Sequence, residues 1–290
     1  MANVYFYPSK THGGNQHYRY YPEAVSGRIM LNPRYVVSWF LPNTIALCDS
    51  GGFQDVHKRL DARQALDKQL WYEEYVRKII APDWRYEAFC TYDQMIGVDE
   101  QIINGKKVKK RGTAETALPA IEETLESAAY YKSRENELSR ITYIAQGIDT
   151  EQYVYCTKQL IPMIRPGIDY FGFGGFCIIG KYTKSMLPLW YETCSAVLPL
   201  LAEAGVHRVH LLGVCIPRAV EFAVLECRKY GIDFSTDSSA PEMKANKFHT
   251  GYDPKTGKAN IELGDARIDF VPAYEAVRNV RHYTEWINSI

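Results

Sequence analysis

Short apolar runs rich in β-formers alternate along the chain with segments of helical period, and this alternation limits the fold more than any other feature. Candidate strands fall at 4–7, 45–48, 86–91, 141–145, 170–173, 208–211 and 232–235, with a weaker one at 267–271. Most lack strict apolar–polar alternation, as expected of parallel strands buried on both faces. Helical stripes lie between them. One comprises Leu66, Leu70, Tyr75, Val76, Ile79 and Ile80, a second Leu118, Ile121, Leu125, Ala128 and Ala129. A third comprises Leu187, Trp190, Tyr191, Cys194, Leu198 and Leu201, and a last one Tyr274, Val277, Val280 and Trp286. Such stripes are read as core. Pro217 suits a first helical turn and Gly231 the cap that ends it. About eight strands alternating with helices predict an α/β fold, a (β/α)₈ TIM-like barrel. An open doubly wound sheet is the alternative, but the chain has neither a G-x-G-x-x-G after its first strand nor a G-x-x-x-x-G-K-[ST] to support it.

The chain of 290 residues is long enough for one catalytic barrel domain over 1–290. Gly, Asp-Pro and Lys-Thr-Gly turn signals mark an inserted hairpin at about 241–264, before the last strand. With 46% hydrophobic and 23% charged residues the chain is not disordered, collagen-like or a coiled coil. No apolar run reaches the roughly 18 residues of a membrane span, and the first residues lack the basic-then-apolar pattern of a secretory signal. The seven cysteines include no C-x-C or C-x-x-C, so a reducing cytoplasm is expected, with no disulfide framework and no cysteine-rich zinc site. His207 and His210, three apart in a strand, would point to opposite faces and share no metal. Lys+Arg (34) balance Asp+Glu (34), so any nucleic acid must be held by a local basic patch. The run Lys106, Lys107, Lys109, Lys110 and Arg111, read as a basic hairpin or loop, is the candidate; His57, Lys58, Arg59, Lys244 and Lys247 are secondary ones.

In a (β/α)₈ barrel the chemistry sits at the C-terminal ends of the strands. Read there in order, the candidate strands end in Asp49-Ser50-Gly51-Gly52-Phe53-Gln54, Thr91-Tyr92-Asp93-Gln94, Gln146-Gly147, Gly174-Gly175-Phe176, Leu212-Gly213 and Thr236-Asp237-Ser238-Ser239-Ala240. Singly, an Asp or Ser after a strand caps a helix and a Gly pair makes a turn. Together they bring three carboxylates, an amide and several bare backbones to one mouth. Carboxylates that close repel, so at least one should be pushed up and serve as an acid beside an ionised partner. Gly-Gly lets backbone N–H groups approach a planar ligand, and Gln and Asp offer what reads a purine edge. No Ser-His-Asp order or nucleophile elbow occurs, and neither Cys48 nor Cys177 has an evident His partner.

The hexapeptide Asp49-Ser-Gly-Gly-Phe-Gln54 resembles the hallmark of guanine transglycosylases, which exchange a guanine in nucleic acid for a 7-deazaguanine base. Asp93, Gln146-Gly147, Gly174-Gly175, His210-Leu-Leu-Gly213 and Asp237-Ser-Ser-Ala240 follow in the family's order, so the resemblance spans roughly 45–240. The Cys-x-Cys-x-x-Cys plus His zinc site of the tRNA enzymes is absent from 241–264, as is their Arg-rich stretch after the nucleophile; these departures point to the DNA-modifying branch of phages and bacterial genomic islands. The resemblance implies a (β/α)₈ barrel, a flipped-out guanine and a double displacement without metal or redox cofactor. It implies Asp237 as nucleophile, with Asp233 as runner-up, and Asp49 as general acid and then base. Asp93, Gln146, Gly147, Gly174, Gly175, Ser50 and Phe53 would bind the base, with Phe53, Tyr92 or Phe176 as stacking candidates. Partners would be DNA and a free preQ0-like base; a tRNA-guanine transglycosylase and a deazaguanine nucleoside hydrolase are the alternatives, and the oligomeric state is left open.

Overall fold

Parallel strands covered on both faces tend to be apolar, and the barrel strands here are buried almost end to end, with β10 the polar exception. The computed structural model describes residues 2–9, 27–33, 44–51, 60–79, 81–94, 96, 99–103, 106–110, 113–178, 183–248, 250–262 and 271–290. In chain order the elements are β1 (Val4–Pro8), β2 (Arg28–Leu31), β3 (Ile45–Cys48), α1 (Ala62–Ile79), β4 (Ala88–Cys90), β5 (Asp99–Ile103), β6 (Lys106–Lys110) and α2 (Ala114–Ser133). Then come β7 (Ile141–Ala145), α3 (Thr150–Leu160), β8 (Tyr170–Phe173), α4 (Thr183–Glu203), β9 (Arg208–Leu211), α5 (Pro217–Lys229) and β10 (Asp233–Ser238). The last are α6 (Ala240–Phe248), β11 (Thr250–Tyr252), β12 (Ala259–Glu262) and α7 (Val271–Ser289).

Eight strands pair in parallel in the order β1-β10-β9-β8-β7-β4-β3-β2, and an isolated parallel bridge between Ser9 and Met30 joins the two ends of that order. The fold is a TIM-like (β/α)₈ barrel. Tyr7, Met30, Leu47, Ala88, Cys90, Ile144 and Tyr170 pack together in one cluster, separate from the larger apolar core that includes the helices.

Charged residues at the starts of strands close the N-terminal end of the barrel. Arg208 Nη1 lies 2.7 Å from Glu87 Oε1, and Arg28 Nη1 3.4 Å from Glu87 Oε2. The Arg208 guanidinium stands over the rings of Tyr5 (4.4 Å) and Tyr170 (4.6 Å), which gives it apolar cover and a cation–π contact. The charge pairing at this end serves stability, since barrel chemistry occurs at the other.

Antiparallel strands β11 and β12 form a hairpin after β10, the last described barrel strand, while the first part of the expected insertion is helix α6. Asn279 on α7 ties it down: its Oδ1 accepts from the Tyr252 N–H at 2.8 Å, and its Nδ2 donates to the carbonyls of Thr250 (2.8 Å) and Pro241 (3.0 Å). Residues 106–110 of the basic run form the second strand of the antiparallel hairpin β5–β6. Among the described residues no helix is long and apolar enough to cross a membrane.

Three sequence expectations need correction. Strand β2 was not foreseen: Arg28-Ile-Met-Leu31 is too short for a periodic signal, and it makes the strand of Asp49 the third of the barrel rather than the second. The weak strand at 267–271 supplies no described strand; 267–270 lie outside the described residues and Val271 opens α7. Ile79 (63% exposed) and Leu118 (50% exposed) are not core. Helix α1 turns Ala65, Leu66, Gln69, Tyr72, Glu73 and Val76 inward instead, a face that recruits polar side chains and so blurs the apolar stripe. Pro217 begins α5, and Gly231 follows it at φ +67°, as expected of an N1 proline and a C-terminal cap.

Candidate active site

The ends of β3, β4, β8, β9 and β10 surround a cavity of about 810 Å³, at the upper part of the roughly 300–1,000 Å³ range of small-molecule sites. Asp49, Ser50, Asp93, Gly174, Gly175 and Asp237 line it. Met30, Leu212 and Val214 add apolar walls, and Lys244 on α6 with Tyr252 and Lys258 of the inserted hairpin form a further side.

Asp49 directly follows β3, its backbone N–H donating to the Leu31 carbonyl at 2.8 Å. Its Oδ2 accepts from Asn32 Nδ2 at 2.8 Å and its Oδ1 from the Gly51 N–H at 3.2 Å. Burial raises its carboxyl, the negative Asp237 raises it further, and Asp93 adds to this; the donors from Gly51 and Asn32 oppose the shift, which ends at about 7. The backbone beneath is fixed by Gln69 on α1, whose Nε2 donates to the carbonyls of Asp49 (3.1 Å) and Cys90 (3.0 Å) while its Oε1 accepts from Tyr131 Oη (2.8 Å). That buried amide explains why a polar residue sits on the inner face of α1.

Asp93 is buried beyond β4. Its Oδ1 accepts from Ser50 Oγ at 2.9 Å and its Oδ2 from Gln146 Nε2. Burial pushes its carboxyl up, and these two donors partly offset that. Asp93 and Ser50 thus face the cavity as one unit, one strand apart in the barrel.

Asp237 sits inside β10 rather than in the loop after it. Its Oδ1 accepts from the Gly213 N–H at 2.7 Å and lies 3.1 Å from His210 Nε2; its Oδ2 accepts from Ser9 Oγ. Gly213 has φ +69°, and a Cβ there would lie 2.8 Å from Cys177 Cβ, so only glycine turns this N–H toward the carboxylate without strain. Among the described residues no three His, Cys, Asp or Glu side chains are placed to hold a metal ion.

No protein-family model matches the chain, and no curated protein matches it. Among solved structures, a "putative phosphonomutase" from Burkholderia cenocepacia J2315 is similar at 11% identity, over 70% of this chain and 82% of that one, with a TM-score of 0.34. The site is therefore read from its own geometry.

The remaining expected site residues fall in distinct places. Gln146 is fully buried, absent from the cavity lining, and its Nε2 is engaged by Asp93. Gly147 packs under α3, where a Cβ would lie 2.9 Å from the Tyr153 backbone nitrogen. Tyr92 and Phe176 are core: Leu60 N donates to Tyr92 Oη at 3.1 Å, and Phe176 stacks on Tyr153 with centroids 5.0 Å apart. Asp233 stands at the opposite end of β10 from Asp237, accepting from the Asn3 N–H at 2.7 Å. Phe53, His57, Lys58, Arg59 and Arg111 lie outside the described residues, as do the side chains of Lys106, Lys107, Lys109, Lys110 and Lys247. Sequence reasoning assigned no role to Ser9, Asn32, Met30 or Gln69. Three come from strands β1 and β2 or their ends, and the missing strand β2 hid that side of the mouth.

Proposed function

We propose that the protein is a pentosyltransferase of the guanine transglycosylase type, exchanging guanine in DNA for a preQ0-like 7-deazaguanine base through a covalent glycosyl-aspartate. The observation that carries this reading is one cavity in which Asp49, pushed up to about 7, lies beside Asp237, a carboxylate held by donors from β1 and from the end of β9. A carboxyl titrating near neutrality is matched to giving a proton in one step and taking it back in the next.

The reaction runs in two displacements. An oxygen of Asp237 bonds to C1′ as the C1′–N9 bond breaks, and the electron pair passes onto the departing guanine, which takes the proton of Asp49. The incoming base then yields its N9 proton to the Asp49 carboxylate, bonds to C1′ through N9, and releases Asp237 as a carboxylate. Atoms and charge balance with no cofactor. Asp93, held by Ser50 and Gln146, would accept from the N1–H and exocyclic amine of the base, while Gly174 and Gly175, which line the cavity, leave room for the Gln146 amide that holds it. The flipped base costs about a few kcal/mol to unstack. The β5–β6 hairpin, whose sequence carries Lys106, Lys107, Lys109 and Lys110, would follow the phosphates.

A base-exchange assay tests this. The protein is incubated with isotopically labelled guanine or preQ0 and with duplex DNA, single-stranded DNA or tRNA; the polymer is digested and its nucleosides weighed. Label entering DNA, and lost in Asp237→Ala, is the expected result. Label in tRNA alone moves the substrate to RNA, and free base released without exchange makes the protein a hydrolase.

A further inference from the structure

The two oxygens of Asp237 are held by different parts of the barrel, and the difference decides which of them can react. Oδ1 takes the Gly213 N–H at 2.7 Å and lies 3.1 Å from His210 Nε2. Oδ2 takes the hydroxyl of Ser9, which lines the cavity. We propose that His210 is a positioning residue for Asp237: its Nε2–H and the Gly213 N–H pin Oδ1 and leave Oδ2 as the oxygen that meets the reacting carbon. The inference rests on the exchange reaction proposed above.

A carboxylate oxygen only accepts hydrogen bonds, so the ring nitrogen facing it must donate. His210 is wholly buried on β9 and cannot swing away; the Tyr7 ring meets it at 78° with centroids 5.9 Å apart. Its other nitrogen, Nδ1, is 2.9 Å from Ser235 Oγ, and that hydroxyl is also 3.1 Å from the Val209 carbonyl oxygen. The Ser235 hydroxyl has two settings. Turned to Nδ1 it donates to a bare nitrogen, and the neutral ring then carries its one proton on Nε2, donated to Asp237 Oδ1; turned to Val209 O it accepts from an Nδ1–H, and an Nε2–H facing the carboxylate then makes the ring a cation. Second-layer partners of this kind set the tautomer and orientation of a functional histidine.

The same two donors serve the return step. When the C1′–Oδ2 bond breaks, its electron pair comes back to the carboxylate, and the Nε2–H and Gly213 N–H are already aimed at the oxygen that shares the charge. Ser9, donating to Oδ2 from the end of β1, must release or share that oxygen as the bond to carbon forms.

The test has a spectroscopic arm and a kinetic arm. In protein labelled with ¹⁵N-histidine, long-range ¹H–¹⁵N spectra at neutral pH report whether His210 Nε2 carries a proton, with Asp237→Asn locating the signal. The kinetic arm compares His210→Gln, which keeps a neutral N–H at this depth, with His210→Phe, which fills the space without a donor. The expected result is a protonated Nε2, a His210→Gln enzyme that keeps a measurable share of exchange, and a His210→Phe enzyme down about 100-fold in kcat with KM for the free base unchanged. A bare Nε2 in the wild type overturns the assignment without reference to activity. So does a folded His210→Phe protein that exchanges base within a few-fold of the wild type. A protonated Nε2 in a wild-type protein that exchanges no base supports the clamp and overturns the reaction instead.

Discussion

Asp49→Asn separates the site's chemistry from its cost to the fold. In the folded protein burial, then Asp237, then Asp93 raise the Asp49 carboxyl from the ordinary 3.8 to about 7. The folded state therefore binds a proton that the unfolded state has released between those two values, and wild-type stability falls as pH rises through that window and levels off above it. With about 1.4 kcal/mol per pH unit, the ionisation of Asp49 costs the fold about 2 kcal/mol at pH 5 and about 4 kcal/mol at pH 8. Asparagine carries no such dependence. It also loses one hydrogen bond, because its amide cannot accept from both Asn32 and the Gly51 N–H, but that loss of about 1 kcal/mol is the same at either pH. The stability of Asp49→Asn relative to wild type should therefore rise by about 2 to 3 kcal/mol between pH 5 and pH 8. Urea denaturation of both proteins at the two pH values reads this directly, and the base-exchange assay on the same samples should show no turnover in the variant. A stability difference that moves by less than about 0.5 kcal/mol would mean that Asp49 titrates as an ordinary surface carboxyl, and the acid–base role would go with it.

Gly174→Ala should weaken binding of the free base about tenfold or more, since its Cβ would fall 2.2 Å from Gln146 Nε2 and drive that amide off Asp93; calorimetry with the base checks this, and unchanged affinity removes Gln146 from the recognition of the base. Neutralising Lys106, Lys107, Lys109 and Lys110 should flatten the salt dependence of DNA binding by about 0.9 in log–log slope per lost phosphate contact; an unchanged slope excludes the β5–β6 hairpin from the footprint. Glu87→Ala, at the far end of the barrel, should cost about 3–5 kcal/mol by leaving Arg28 and Arg208 without their shared partner, with kcat per folded molecule unaltered; an altered kcat would show that the two ends communicate.

The barrel was legible because its strands carry the signal of burial on both faces. Residues 45–48, 141–145, 170–173 and 208–211 coincide with β3, β7, β8 and β9. Strand β2 escaped because four residues between Gly27 and Asn32 hold no period, and with it went Met30, Asn32 and the bridge to Ser9. The acidic residues were legible as strand-end features, but their division of labour was not. It depends on which donors reach each carboxylate, and these come from residues far away in sequence: Asn32 for Asp49, Gln146 for Asp93, Ser9 and His210 for Asp237. Gln146 shows the limit most clearly, since its place after β7 is equally consistent with facing a ligand or with holding the Asp93 carboxylate, and the structure has it hold Asp93.

Strand β1 is made first and finds its ladder last. Its partner is β10, in the register Val4 to Phe234 and Tyr7 to Asp237, and toward β2 it has the isolated bridge at Ser9. At roughly 5–20 residues per second, a ribosome needs about 10–50 s after β1 emerges to deliver β10. During that interval β1 has no parallel neighbour on that side, and Ser9 and Asp237 are not yet together. A nascent chain therefore has no assembled Asp237 site until the ring closes, so completion of the barrel and assembly of that site are a single event in its synthesis.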